Sequence, residues 1–397
     1  MIGTPHVSRR PSGISSIQPA IDPHNKPGFL LDWELTLKCN LDCFYCGEGT
    51  EPGQGHSNSA NHPPLNECLD SIDFFYNYVD VFMQTKAKWN RLAVLNVYGG
   101  ESLLHPDIVE ILQQVHNKHT DGNYDWPLTV ITTTNAIIGN NRLQQILPFI
   151  DDFTLSYHED QLNQKQKQLF KTNALTIKNS GKRLKIIVLM TTKEENWPGC
   201  LDLIEWCNDN DIDYLPRSLD GRDRVYSAEQ LQWLRDMYSG LTNSKSRETQ
   251  DRLLAQGDTF TEKESTLSSQ GRACCGGRSL CINKNLRESV RWIPGNNFQG
   301  WHCSVNHFFV YLKQHDGRIF TNKDCLVGYN NKREPIGHLS NWKKLVEETK
   351  QRLTADQMPY LVCPITRCQC GLCAPKAETR EELDDIMKIH ISTTKEE

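Results

Sequence analysis

The chain has 397 residues, with 44 Lys and Arg against 49 Asp and Glu for a net charge of -5, and 15 cysteines. That length accommodates two or three domains, or one barrel with an extension. The acidic balance argues against a nucleic-acid partner, and the sequence holds no run of about 18 apolar residues that would cross a membrane. Residues 1–28 are polar, with charge and proline but none of the apolar stretch of a secretory signal. They read as a disordered arm on a cytoplasmic protein.

From residue 29 to about 220, short apolar runs alternate with helical periodicity. Strands are expected at Phe29–Thr36, Leu92–Tyr98, Leu128–Thr133, Asp152–Tyr157, Leu184–Thr191 and Ile212–Pro216. Between the first two, Leu65, Leu69, Ile72, Tyr76, Val79 and Met83 recur at steps of three and four and mark one buried helix face. Ile108, Leu112 and Val115 repeat the pattern behind Pro106, a helix opener. Such alternation implies parallel strands with helical crossovers, whose active sites gather at the C-terminal strand ends. Ser227 to Gln230 offers a capping box for a further helix to about Leu241. A polar linker then leads to a cysteine-rich tail from residue 271, which contains nine of the cysteines and closes with a helix over Glu378–Ile391. Thiols clustered in a reducing compartment point to metal or Fe–S ligation rather than disulfides. Cys68, Cys200 and Cys207 lie on helical faces and read as buried small hydrophobes.

The chemistry starts at the end of the first strand. Cys39, Cys43 and Cys46 form a C-x3-C-x2-C run, three thiolates where a [4Fe–4S] cluster is normally held by four. Three ligands leave one iron open to a small molecule. Gly47 to Pro64, a Gly/Ser/Asn/Pro loop, follows directly; it reads equally as a cover for the cluster or as an insertion. The second strand runs into Gly99, Gly100 and Glu101, where two glycines let a ligand approach the backbone and a carboxylate can receive an ammonium group. The third ends in Thr134-Asn135 and the fourth in Ser156-Tyr157-His158. His105 and His158 read as polar strand-end residues rather than ligands. Arg217, expected just after the sixth strand, suits a carboxylate or a surface salt bridge.

The triplet, with Tyr45 before its last cysteine, resembles the signature of the radical S-adenosylmethionine (SAM) enzymes. The GGE, TN and S segments recur at successive strand ends in that family's order. The resemblance covers roughly residues 29–220 and implies a partial (β/α)6 TIM-like barrel. It assigns the cluster to Cys39, Cys43 and Cys46, and SAM binding to Tyr45, Gly99, Gly100, Glu101, Asn135 and Ser156. It further implies that SAM is cleaved to methionine and a 5′-deoxyadenosyl radical, with an electron donor such as flavodoxin or ferredoxin.

In the tail, Phe308–Leu312 and Arg318–Thr321 flank Asp316-Gly317 and read as a hairpin. Cys303 and Cys325, then Cys363, Cys368, Cys370 and Cys373, resemble the SPASM/twitch extension of radical SAM enzymes. That extension is a small α+β unit carrying auxiliary Fe–S clusters, of which one or two are implied here. The later run departs from the usual pattern and lacks its last cysteine, for which Cys274, Cys275 or Cys281 can substitute. Zinc is the alternative occupant. Cys281 is also a candidate hydrogen-atom donor to a substrate radical. The domains expected are therefore an arm (1–28), a barrel (29–220), a helix and linker (221–270), an auxiliary domain (271–375) and a terminal helix (376–397). The substrate expected is a peptide or protein. A small metabolite, or a non-catalytic Fe–S or zinc-binding interaction protein, is the rival reading.

Overall fold

The computed structural model describes residues 28–43, 45–46, 56–84, 92–219, 226–239, 299–321, 335–355, 357–363 and 376–392. The arm over 1–27 and most of the linker fall outside these residues, as do Cys274, Cys275, Cys281, Cys325, Cys368, Cys370 and Cys373. Among the described residues no helix is long and apolar enough to cross a membrane.

Six parallel strands follow the expected alternation: β1 (Gly28–Thr36), β2 (Leu92–Gly99), β3 (Leu128–Thr134), β4 (Asp152–Tyr157), β5 (Arg183–Met190) and β6 (Asp213–Ser218). Their crossovers are α1 (Leu65–Gln84), α2 (Ile108–Asp121), α3 (Asn140–Ile146), α4 (Gln164–Asn179) and α5 (Trp197–Asp209). The period of two in each strand sorts the side chains. Phe29, Leu31, Trp33 and Leu35 of β1 and Ala93, Leu95 and Val97 of β2 join Ile72, Val79 and Phe82 of α1 in the main apolar core. The expected α1 face is confirmed at Ile72, Tyr76, Val79 and Met83, all buried. Helix α6 (Ala228–Ser239) opens on the predicted cap: Ser227 N donates to Gln230 Oε1 (2.9 Å), and Gln230 N to Ser227 Oγ (3.3 Å).

On the opposite face of the sheet the side chains change character along the strands. A lower tier of Leu30, Val94 and Ile131 packs against Val305, Phe308, Leu383 and Met387 from the C-terminal part of the chain. Toward the C-terminal ends of β1 and β2 the same face carries Asp32, Glu34, Asn96 and Tyr98, all buried. The polar tier lies toward the strand ends where the cysteines follow.

The tail hairpin is not a separate layer. Strand β7 (His302–Cys303) is followed by β8 (Phe309–Lys313) and β9 (Arg318–Phe320), and β8 pairs in parallel with β1, opposing Tyr311 to Asp32. With β10 (Gly337–His338) the sheet has nine strands in the order β10-β9-β8-β1-β2-β3-β4-β5-β6. Helix α7 (Trp342–Thr354) packs against α1. The reason for the attachment is polar as well as apolar. Gln314, just past β8 and fully buried, accepts from Trp33 Nε1 (2.8 Å) and Ser71 Oγ (2.5 Å), and its N–H donates to Glu34 O (3.1 Å). Sequence periodicity marks the hairpin, but pairing so distant in sequence leaves no local signal.

A second, three-stranded sheet has β7 at its centre, between β11 (Leu361–Val362) and β12 (Lys376–Ala377), which leads into α8 (Arg380–Ser392). Replacing Gln314 by Ala leaves the Trp33 indole N–H without its buried acceptor, while the Ser71 hydroxyl keeps Glu67 O (3.1 Å). Chemical denaturation should register a loss of about 1–3 kcal/mol. A loss under 0.5 kcal/mol would show that the hairpin is not integral to the core of the sheet.

Candidate functional site

The site is built on a backbone junction. The registers Glu34↔Tyr98 and Thr36↔Gly99 imply one extra residue on β1, a bulge that turns the strand end before the cysteines. There Gly100 N donates to Thr36 O (2.7 Å) and Glu101 N to Lys38 O (2.8 Å). A Cβ at Gly99 would lie 2.2 Å from Thr36 O, and one at Gly100 2.3 Å from Lys38 O. Gly99 also has φ +146°, a backbone state closed to other residues. Both glycines are therefore demanded by the neighbouring chain, independently of any ligand.

Glu101 is wholly buried, and its carboxylate ties the ends of β2 and β3 together. Oε1 accepts from Leu103 N (3.2 Å) and Thr134 Oγ1 (2.7 Å), and Oε2 from Asn135 N (2.7 Å). Burial raises its pKa to about 7, and these three donors act in the other direction. Asn135 turns its side chain to the cysteine loop: Nδ2 donates to Asn40 Oδ1 (2.7 Å) and lies 3.8 Å from Cys39 Sγ. Asn40 in turn donates to Ile137 O (3.0 Å). The TN segment thus braces the loop that carries Cys39.

Cys39 is buried, while Cys43 and Cys46 are partly exposed. Burial pushes Cys39 up to about 11 and Cys43 to about 12; the charge of Cys46 adds to both shifts, and that of Cys39 to the shift of Cys43. As ligands all three must be thiolates, so a positive centre has to outweigh that burial, and binding it releases protons. The donor set fits a [4Fe–4S] group, since three thiols sit on one short loop at the end of β1. Among the described residues no three His, Cys, Asp or Glu groups converge on a single ion position. A four-iron cluster makes no such demand, because each thiolate binds a different iron.

Two histidines reach the triplet. His158 Nδ1 is 2.7 Å from Tyr45 OH and 3.4 Å from Cys43 Sγ, and its ring stacks on Tyr45 at an interplanar angle of 4°. Its Nε2 is 3.0 Å from Ser156 Oγ, which donates to Thr134 O (3.3 Å). Ser156 has one proton and gives it to the carbonyl, so Nε2 is the donor and Nδ1 accepts from Tyr45. Burial lowers the pKa of His158 to about 4, which keeps that neutral form. Burial also keeps the Tyr45 phenol protonated, far above its usual range. His56 lies between Cys46 Sγ (3.0 Å from Nδ1) and Glu34 Oε1 (3.5 Å from Nε2). Burial works to lower its pKa, but the bonds to Cys46 and Glu34 outweigh this and raise it to about 9.

The far end of the Gly/Ser/Asn/Pro loop returns to the triplet. Cys39 N donates to Ser57 O (3.1 Å), and Ser57 N to Leu37 O (2.9 Å). Residues 56–57 of that loop therefore lie against the triplet. His158 was legible as a strand-end residue but not as a neighbour of Cys43, and His56 gave no signal, since its place depends on the loop's return. His105 is a local brace, Nδ1 accepting from Asp107 N and Nε2 3 Å or less from Pro63 O. Arg217 lies within β6, opposite Leu189, not beyond the strand as expected. Cys68, Cys200 and Cys207 are buried, as read from their helical faces.

In the second sheet Cys303 of β7 opposes Leu361, and Cys363 N donates to Trp301 O (2.8 Å). Both cysteines are buried. They stand diagonally on one face of neighbouring strands. The segment 364–375, with Cys368, Cys370 and Cys373, leaves β11 and re-enters at β12, and both strands flank Cys303.

No protein-family model matches the sequence, and no curated protein is similar to it. Among solved structures, SuiB of Streptococcus suis aligns over 80% of this chain and 67% of its own at 15% identity, with a TM-score of 0.43. Native anSMEcpe with bound AdoMet aligns over 93% of this chain and 99% of its own at 11% identity (TM-score 0.48). The same protein with AdoMet and the Cp18Cys peptide aligns over the same shares at 12% identity (TM-score 0.46).

The buried carboxyl of Glu101 makes a pH prediction. Its folded pKa, about 7, lies above the unfolded value near 4.5, so the folded state holds the proton longer. Stability is fully present below pH 4.5 and is lost as pH rises through about 7, by about 3 kcal/mol. Glu101→Gln should remove that slope from a urea-denaturation series on the metal-free protein. Parallel pH profiles for the two proteins would refute the assignment.

Proposed function

We propose that the chain is a radical SAM enzyme in which Cys39, Cys43 and Cys46 hold a [4Fe–4S] cluster with one open iron, and that it modifies a peptide or protein. The observation that carries this reading is the junction of Thr36–Lys38 with Gly99–Glu101, which sets the thiol loop beside the GGE segment at one end of a parallel sheet. When bound, the cluster and SAM supply a reductive cleavage that yields methionine and a 5′-deoxyadenosyl radical able to take hydrogen from an unactivated C–H bond.

The protein's share is positioning and the exclusion of water. Gly99 and Gly100 offer backbone groups to the amino end of SAM, and Glu101 Oε2 keeps acceptor capacity beyond the bond from Asn135 N. Asn135, Ser156 and Tyr45 act one step back. Asn135 braces the Cys39 loop, while Ser156 and Tyr45 fix the His158 ring against Cys43. The polar tier of Asp32, Glu34, Asn96 and Tyr98 lies on the sheet face below and is the proposed floor of the substrate chamber.

The tail's resemblance to the SPASM/twitch extension supports auxiliary Fe–S binding by Cys303, Cys325, Cys363, Cys368, Cys370 and Cys373. It also favours a peptide substrate, since bearers of that extension often modify ribosomally made peptides. The adjacency of Cys303 and Cys363 supports the same assignment. An electron donor such as flavodoxin or ferredoxin completes the system, and Cys281 stays the proposed hydrogen-atom donor.

The test is SAM turnover by anaerobically reconstituted protein. Under dithionite the wild type should form 5′-deoxyadenosine and hold more than about four irons per chain, the content of a single cluster. Cys43→Ala should form none. Equal 5′-deoxyadenosine from both proteins would overturn the catalytic reading, and about four irons with tightly bound zinc would overturn the auxiliary clusters.

A further inference from the structure

The loop that follows the triplet brings one side chain back to a cluster ligand. His56 stands ten residues beyond Cys46 in sequence, yet its Nδ1 lies 3.0 Å from Cys46 Sγ. Nothing in the local sequence requires this contact. The return is anchored next door, where Ser57 exchanges backbone hydrogen bonds with Leu37 and Cys39.

The ring is held from its other side. Nε2 is 3.5 Å from Glu34 Oε1, and Glu34 is itself fixed, with Oε2 accepting from Tyr311 OH (2.9 Å) and lying 3.9 Å from His315 Nδ1. Tyr311 belongs to β8, the strand that the C-terminal hairpin adds to the sheet. A chain of contacts therefore runs from the hairpin through Glu34 and His56 to the sulfur of Cys46.

We propose that His56, oriented by Glu34, donates a hydrogen bond from Nδ1 to the iron-bound sulfur of Cys46 and thereby raises the reduction potential of the triplet's cluster. The inference rests on the radical SAM reading above. A sulfur bound to iron has no proton to give, so the ring nitrogen facing it is the donor. Glu34 on the far nitrogen is an acceptor as well, so that nitrogen also donates and the ring cannot turn away without losing both partners. A donor aimed at a cluster thiolate draws charge from the sulfur and favours the more negative, reduced state. Cys39 Sγ takes a backbone donor, Leu41 N (3.4 Å), with Asn135 Nδ2 3.8 Å away, whereas at Cys46 the donor is an imidazole held from its far side by a carboxylate. Cys43 faces His158 Nδ1, which the Ser156 bond fixes as an acceptor.

His56 is thus a positioning residue for an electron-transfer step, and a potential reads it where activity alone would not. The experiment is a redox titration of the reconstituted full-length protein, followed by the electron paramagnetic resonance signal that Cys43→Ala lacks. His56→Ala and His56→Leu remove the donor at two sizes. Both should keep their iron and titrate at a more negative potential than the wild type. His56→Asn, whose amide can donate from the place of Nδ1, should return the potential toward the wild-type value.

Wild-type potentials in His56→Ala and His56→Leu would overturn the proposal while leaving the radical SAM reading intact. Loss of iron from both would overturn it too, in favour of a purely structural role for His56. Absence of any Cys43-dependent signal in the wild type would overturn the radical SAM reading, and this proposal with it.

Discussion

Everything at the candidate site depends on how closely the end of β2 approaches the chain leaving β1. Two hydrogen bonds, Gly100 N to Thr36 O and Glu101 N to Lys38 O, hold the two segments at a distance that leaves no room for a Cβ at either glycine. The cysteine loop begins one residue later. From the same junction Glu101 reaches across to Thr134 and Asn135, and Asn135 reaches back to Asn40 beside Cys39. The motif segments at the first three strand ends thus form one bonded unit. The glycines that look like a ligand cradle in sequence serve chain packing first, and their backbone is then presented at a fixed place.

Much of this was legible in the sequence, for physical reasons that differ by element. The six parallel strands and α1 follow from periodicity, because a strand buried on the helix side must repeat at two and a crossover helix at three and four. Their ends shifted by a residue or two, as for β6, which extends to Ser218 and so takes in Arg217. The cysteine triplet was legible because its spacing is local. What was not legible required the chain to fold back from a distance. His56 needs the loop's return, His158 needs β4 beside the triplet, and β8 needs a partner almost 280 residues earlier.

The attachment of the hairpin changes how the C-terminal part of the chain relates to the parallel sheet. Read along the sequence, the tail is an appendage with its own cysteines. In the structure β8 extends the same sheet, Gln314 is bonded to Trp33 and Ser71, and Tyr311 reaches Glu34. Residues of the tail therefore share a face with the polar tier of β1 and β2. Meanwhile β7 holds Cys303 near Cys363 and between the two strands from which the cysteine-rich segment departs and returns. The two thiol regions are joined through one stretch of chain, residues 302–313, so a disturbance in one has a covalent and hydrogen-bonded route to the other.

In the proposed function, the iron left open by three thiolates would take SAM through its amino group beside Gly99–Glu101. Electron–nuclear double resonance on the reduced, reconstituted protein mixed with SAM labelled with 15N at its amino group tests this directly. A hyperfine coupling of that nitrogen to the cluster should be present in the wild type and absent without Cys43. A reduced cluster that binds SAM weakly or not at all, with no coupling from the labelled nitrogen, would contradict it.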